Sequence, residues 1–160
     1  MIRLHPMTDG DFAWLLGEDG ASASLQLCQG GFSPPEIVAM LREVTAAVQR
    51  TSESPVAWLI VEDDLAVGMM SFTKALPDGR YELGYGVAPT HEGCGVTTQA
   101  LALLLATARA DGRSGLTVET SVANPASQRV LKKNGFVRSG TRDDPEDGPL
   151  LCWSIDLAKD

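Results

Sequence analysis

Between Tyr81 and Thr98 the chain reads Y-E-L-G-Y-G-V-A-P-T-H-E-G-C-G-V-T-T. The run to Val87 has the pattern of a strand, Pro89 closes it, and Gly93-x-Gly95 provides a tight turn. A long apolar helix starts near Val96. A helix entered through such a turn keeps its first amides without intrahelical partners. Those N–H groups and the positive end of the helix dipole meet in one small volume, an anion site made of backbone. Two nucleotide motifs are excluded. No Lys-Ser/Thr follows the glycines as in a triphosphate-binding loop, and Thr98 stands where a dinucleotide fold needs a third glycine. What remains is a short cradle suited to a pyrophosphate.

The 160 residues suit one domain, 1–160, with a sizeable core. A net charge of -8 speaks against a nucleic-acid binder and is compatible with a cationic substrate. Cys28, Cys94 and Cys152 are scattered and odd in number, so neither a disulfide framework nor a metal site is expected. The N-terminus has no secretory pattern and no apolar run reaches membrane-spanning length, which makes the cytoplasm the default location. Nothing in the pattern excludes a homodimer.

Ile2 to His5 reads as a strand stopped by Pro6, and Thr8-Asp9 offers N-cap chemistry for a first helix. Gly17 to Phe32 reads as a loop or irregular helix. Ser33-Pro34-Pro35 opens a second helix, with Ser33 as the cap and Ile37, Met40, Leu41, Val44 and Val48 at helical spacing. Two apolar runs around Asp63-Asp64 form a hairpin, and the Tyr81 strand follows the Pro77-Asp78-Gly79 turn. Gly95 to Ala110 is apolar nearly all round and should be largely buried against a sheet. A strand at 116–122, a helix capped by Asn124 and ended by Asn134-Gly135, and two more strands complete the chain. The order β-α-α-β-β-β-α-β-α-β-β implies a mixed α/β fold: a mostly antiparallel central sheet with helices on both faces.

Three spaced motifs now coincide: E-L-G-Y-x-V-x-P, then x-G-x-G-V-x-T-x-A, then N-P-A-S-x-R-V-L-x-K-x-G-F. Together they resemble the GNAT superfamily of acyl-CoA N-acyltransferases, most closely its ribosomal-protein alanine N-acetyltransferase branch. The resemblance spans roughly residues 2–157. It implies that acetyl-CoA lies between two splayed strands, the one ending at Val87 and the one at 116–122. Backbone groups near Val87 would pair with the pantetheine arm, and Asn124 would meet it from the other side. Amides of Gly93, Cys94, Gly95, Val96 and Thr97 would take the pyrophosphate. The implied activity is acetyl transfer to a primary amine, on a protein N-terminus or a small molecule, by direct attack and without a metal.

An attacking amine must be neutral, whereas α-amines titrate at about 7.7–8.0 and lysine-type amines at about 10.4. A base is therefore required, and Glu82 is the candidate. It shares one strand face with Gly84 and Gly86, opposite Tyr81, Leu83, Tyr85 and Val87, which suggests open volume beside it. The plain alternative is a salt bridge, and Glu119 is the reserve base. The tyrosine that many GNAT enzymes use as acid toward the leaving thiolate is replaced here by Leu131, and the branch resemblance offers Ser127 instead. Glu92 stands where the family prefers Gln or Arg, and Thr97 where it prefers Gly or Ala. Glu92 and Leu131 also motivate the alternative, a CoA-binding or regulatory module with weakened catalysis.

Overall fold

A computed structural model describes residues 1–18 and 25–157. The strands are β1 (Ile2–Pro6), β2 (Gln26–Leu27), β3 (Ala57–Glu62), β4 (Leu65–Ala75), β5 (Arg80–Val87), β6 (Gly115–Ser121), β7 (Val137–Asp144) and β8 (Gly148–Asp156). The helices are α1 (Asp9–Leu15), α2 (Pro35–Gln49), α3 (Val96–Ala110) and α4 (Pro125–Lys133). The expected order is present with one addition. The two-residue β2 runs parallel beside β4, within the stretch read as loop or irregular helix. Residues 19–24 of that stretch lie outside the described residues.

The sheet order is β1-β3-β4-β5-β6-β8-β7, with β2 on the side of β4. Along that path only β5 and β6 are parallel, joined by the crossover through α3. Alternating side chains divide between two cores. Trp58, Ile60, Met70, Phe72 and Leu83 face α3 and α4, meeting Leu101, Leu104 and Leu131. Leu59, Val61, Ala66 and Met69 face α1 and α2, meeting Phe12 and Val38. The period-2 pattern therefore places Glu82, Gly84 and Gly86 toward the α1/α2 face and Tyr81, Leu83 and Tyr85 toward the α3/α4 face.

Two expectations need correction. Ser33 does not cap α2: Pro34 is the N-cap, and its carbonyl accepts from the amides of Ile37 and Val38 at 3.1 Å. Proline at the first helical position already sets φ for the helix, so a side-chain cap adds less. Nor is α3 buried over most of its surface, although it does pack on the sheet. Ala100, Leu101, Leu104 and Ala108 are sealed, while Ala102, Leu103 and Ala106 face outward, because the helix touches the sheet along one side only.

At the far end of the sheet Arg113 is buried, 6% exposed. Its guanidinium lies 4.8 Å from the Phe72 ring and 4.6 Å from the Tyr81 ring, and donates to the Pro55 carbonyl at 3.0 Å. It ties the start of β6 to the loop before β3. Arg113→Ala is expected to cost about 2 kcal/mol, combining lost packing with the cation–π contacts. In a thermal melt that is a fall of roughly 4–8 °C for a domain of this size, and no fall would show the contacts to be dispensable.

Candidate functional site

The site begins where two strands stop pairing. β5 and β6 are in register only through Arg80–Glu82 and Gly115–Thr117. Beyond that, β5 stays with β4 as far as Val87 opposite Gly68, and β6 stays with β8 as far as Ser121 opposite Leu150. A wedge opens between them toward the carboxyl ends of both strands. These are also the ends from which the chain enters α3 and α4, and a crevice of this kind is where α/β sheets bind ligands.

The cradle closes one end of the wedge. Gly93 and Gly95 take left-handed φ values of 75° and 79°, which favour glycine, and Gly95 is the N-cap of α3. Among the described residues, the amides of Gly93, Cys94, Gly95, Val96 and Thr97 donate to no protein acceptor. Val96 is buried, and the Cys94 thiol turns back to the Glu92 carbonyl at 3.4 Å, so these two contribute amides rather than side chains. α4 is clasped to this turn by Asn134, whose side-chain amide donates to the carbonyls of Thr98 at 3.3 Å and Val130 at 3.0 Å.

Between cradle and wedge lies a cavity of about 370 Å³. Val87, Gly93, Gly95, Thr97, Asn124 and Ser127 all line it, so six of the residues singled out in the sequence converge on one space. Glu92 lines it too and is exposed, as are Arg129 and Lys133, which α4 contributes to the same lining. The Asn124 side-chain carbonyl accepts from the Ser127 amide at 3.2 Å, so one residue both starts α4 and forms part of the wall.

Glu82 does not line this cavity. It sits on the α1/α2 face two residues before Gly84, roughly 6.6 Å along the strand, and accepts from Thr73 Oγ1 at 3.3 Å. Glu119, on the same face of β6, is already engaged. Arg142 grips it at 2.7 and 2.8 Å and holds its carboxyl below the usual range, which makes it a poor proton acceptor. His5, for which the sequence offers no partner, meets the buried carboxylate of Asp11 at 3.3 Å. His91 lies 3.7 Å from Glu62.

Tyr85 is the residue that sequence reasoning passed over. Its hydroxyl is 2.9 Å from Ser127 Oγ, joining β5 to α4 across the wedge. Burial raises its pKa, with the Ser127 hydrogen bond pulling the other way, so the phenol stays protonated at neutral pH. Leu131 is fully buried in the core and cannot present a group to the cavity. A phenol therefore enters the wedge from the strand, not from α4. The signal was a lone aromatic between two glycines, one strand position before the gap's last residues.

The sequence profile of the acetyltransferase (GNAT) domain matches residues 2–137. The chain belongs to this GNAT family. A curated relative, the ribosomal-protein-serine acetyltransferase of Escherichia coli (strain K12), is 32% identical over 85 residues, 52% of this chain and 48% of that enzyme. The chain thus spans about half the length of the relative it matches. Among solved structures, RimL, a ribosomal L7/L12 α-N-protein acetyltransferase in complex with coenzyme A, superposes with a TM-score of 0.71 at 19% identity, covering 97% of this chain and 93% of RimL. The aminoglycoside acetyltransferase AAC(6')-Ib in complex with coenzyme A gives 0.68 at 19% identity, covering 98% and 95%. At such identities these likenesses establish the GNAT fold, including the mixed α/β sheet expected from the sequence.

The Glu119–Arg142 pair of this GNAT domain makes stability depend on pH. The folded pKa of Glu119 is depressed, so its contribution is fully present above the unfolded value of about 4.3 and fades as pH falls through the folded value. Glu119→Gln should lower the urea midpoint at pH 7 by a small amount. That difference should close in acid, and a difference independent of pH would contradict the pairing.

Proposed function

We propose that this protein is an acetyl-CoA-dependent N-acetyltransferase that acts on a primary amine by direct transfer. One observation carries the reading: Gly93, Gly95 and Thr97, whose amides have no acceptor among the described residues, line the same cavity as Tyr85, Gly86 and Val87 at the end of β5 where the wedge opens. A diphosphate fits the amides, because each orphan N–H then gains a charged acceptor. An extended arm fits the wedge, where the free edge of β5 can pair with it as a strand would. That two structural neighbours hold coenzyme A supports the assignment.

When bound, acetyl-CoA supplies an activated acyl thioester. Gly93 to Thr97 would hold its diphosphate, Val87 and Asn124 its arm. Glu92 lies beside this anion, and Arg129 and Lys133 offset its charge. Transfer forms a nitrogen–carbon bond as the carbon–sulfur bond breaks. Glu82 takes the amine's proton through water, since it stands one step back from the cavity walls. Ser127 donates toward the departing sulfur, and Tyr85 holds Ser127 in that orientation through its own hydroxyl.

The deciding experiment is release of free CoA thiol on adding an amine, with acetyl-CoA binding measured separately. Binding without release across a broad amine panel would favour a CoA-binding module instead. Glu82→Gln should lower kcat by about 10²-fold, the scale of a general base, with little change in acetyl-CoA affinity. An unchanged rate across pH would remove Glu82 from that role. Gly95→Val should weaken acetyl-CoA itself, because the left-handed turn that aims the amides is lost. Ser127→Ala and Tyr85→Phe should each lower kcat by about tenfold with acetyl-CoA affinity retained. The double variant should be no slower than Ser127→Ala alone, as groups acting in one chain are not additive. Additive losses would separate the two hydroxyls.

A further inference from the structure

A second cavity, of about 180 Å³, lies on the α1/α2 face of the sheet and meets the first at Tyr85 and Gly86, which line both. Phe32, Ile37, Leu41 and Met69 form its apolar walls, and Ser33, Ser71 and Thr73 add hydroxyls to the lining. Among the described residues no charged side chain lines it.

Its floor is made by Gly84 and Gly86. Neither has the positive φ that would demand glycine. A Cβ at Gly86 would meet nothing within 4 Å, and one at Gly84 would only touch Thr73 at 3.4 Å. Neither backbone strain nor crowding accounts for Gly86, and what its missing side chain leaves is space beside the wedge. On the same face Glu82 carries a carboxylate with no ion-pair partner among the described residues, while Glu119 and Asp144 share Arg142. The face therefore offers one compact apolar pocket, with the Glu82 carboxylate two residues along β5 from Gly84 and Lys74 at the paired position of β4.

Resting on the acetyl-transfer reading above, we propose that this pocket selects the acceptor. The acceptor it fits is a singly charged amine with a compact apolar group close to the nitrogen. A volume of about 180 Å³ is below the roughly 300–1,000 Å³ that encloses a drug-sized ligand, so the pocket admits one such group and not a multi-ring molecule. Each further ammonium of a polycation would be stripped of water against Phe32, Ile37, Leu41 and Met69 with no counter-charge. The same chemistry occurs in a free aliphatic amine and in the α-amino end of a polypeptide whose first side chain is apolar.

The test uses the full chain with acetyl-CoA and four acceptors: 3-methylbutylamine, the peptide Met-Ala-Ser-Gly, spermidine and kanamycin. Thiol release gives kcat/KM, and calorimetry in the presence of CoA gives acceptor binding. The expected result is at least about tenfold higher kcat/KM for the amine or the peptide than for either polycation, within the range that apolar pockets discriminate. Which of the first two is better tells the free amine from the polypeptide end. Spermidine or kanamycin equalling them overturns the proposal. Ile37→Asp, at a position 40% exposed and so tolerant of change, should lower kcat/KM for the apolar acceptor at least about tenfold, acetyl-CoA affinity unchanged. An unchanged kcat/KM also overturns it. If no acceptor releases thiol, the transfer reading fails on its own. The pocket then stands if 3-methylbutylamine or the peptide binds and Ile37→Asp abolishes that binding, and falls if neither binds.

Discussion

The short pairing of β5 with β6 is the constraint from which the rest of the site follows. Three residues of register hold the strands together, after which each keeps only its outer partner. An unpaired strand edge inside a sheet is unfavourable unless something satisfies it. Here the opening is bounded by two helix starts and bridged by a hydrogen bond between the Tyr85 and Ser127 hydroxyls. The buried layers on both sides, with Trp58 and Phe72 on one and Leu59 and Met69 on the other, keep the two halves of the sheet from closing it. The gap is held by the cores and is not a defect in them.

Because the cradle consists of amides, it depends on backbone path far more than on side-chain identity. That explains how Glu92 and Thr97 can differ from the family's preference while the turn keeps its shape through Gly93 and Gly95. Two cations, Arg129 and Lys133, line the same cavity from α4. α4 is placed by Asn124 at its start and by Gly135 at its end. There the amides of Phe136 and Gly135 return to the carbonyls of Leu131 and Lys132, as at many glycine-ended helices.

Much of the architecture was legible because it rests on local rules. Apolar alternation gave β3, β4 and β5, and the Pro-led caps gave α2 and α4. The glycine turn gave the start of α3. β2 was not legible, since two residues carry no periodic signal and its pairing with β4 is a matter of distance alone. The one-sided burial of α3 was hidden because alanine and leucine mark an apolar helix without saying how much of it the sheet will cover. Among the candidate residues on the wall of the first cavity, Gly93, Gly95 and Thr97 were legible through the turn and Asn124 through its cap, while Val87 and Ser127 rested on the family resemblance. Glu119 was misjudged as a reserve base, because Arg142 is 23 residues away in sequence and adjacent only across the sheet.

The sequence alone determined the elements, the left-handed turn before α3 and the alternation that sorts Glu82 from Tyr85, since each depends on residues within a turn or two of one another. Tertiary structure decided how far β5 and β6 run together, that a strand tyrosine meets Ser127, and that Gly84 and Gly86 floor an open pocket. Those outcomes come from the packing of segments tens of residues apart, and no local preference records such distances.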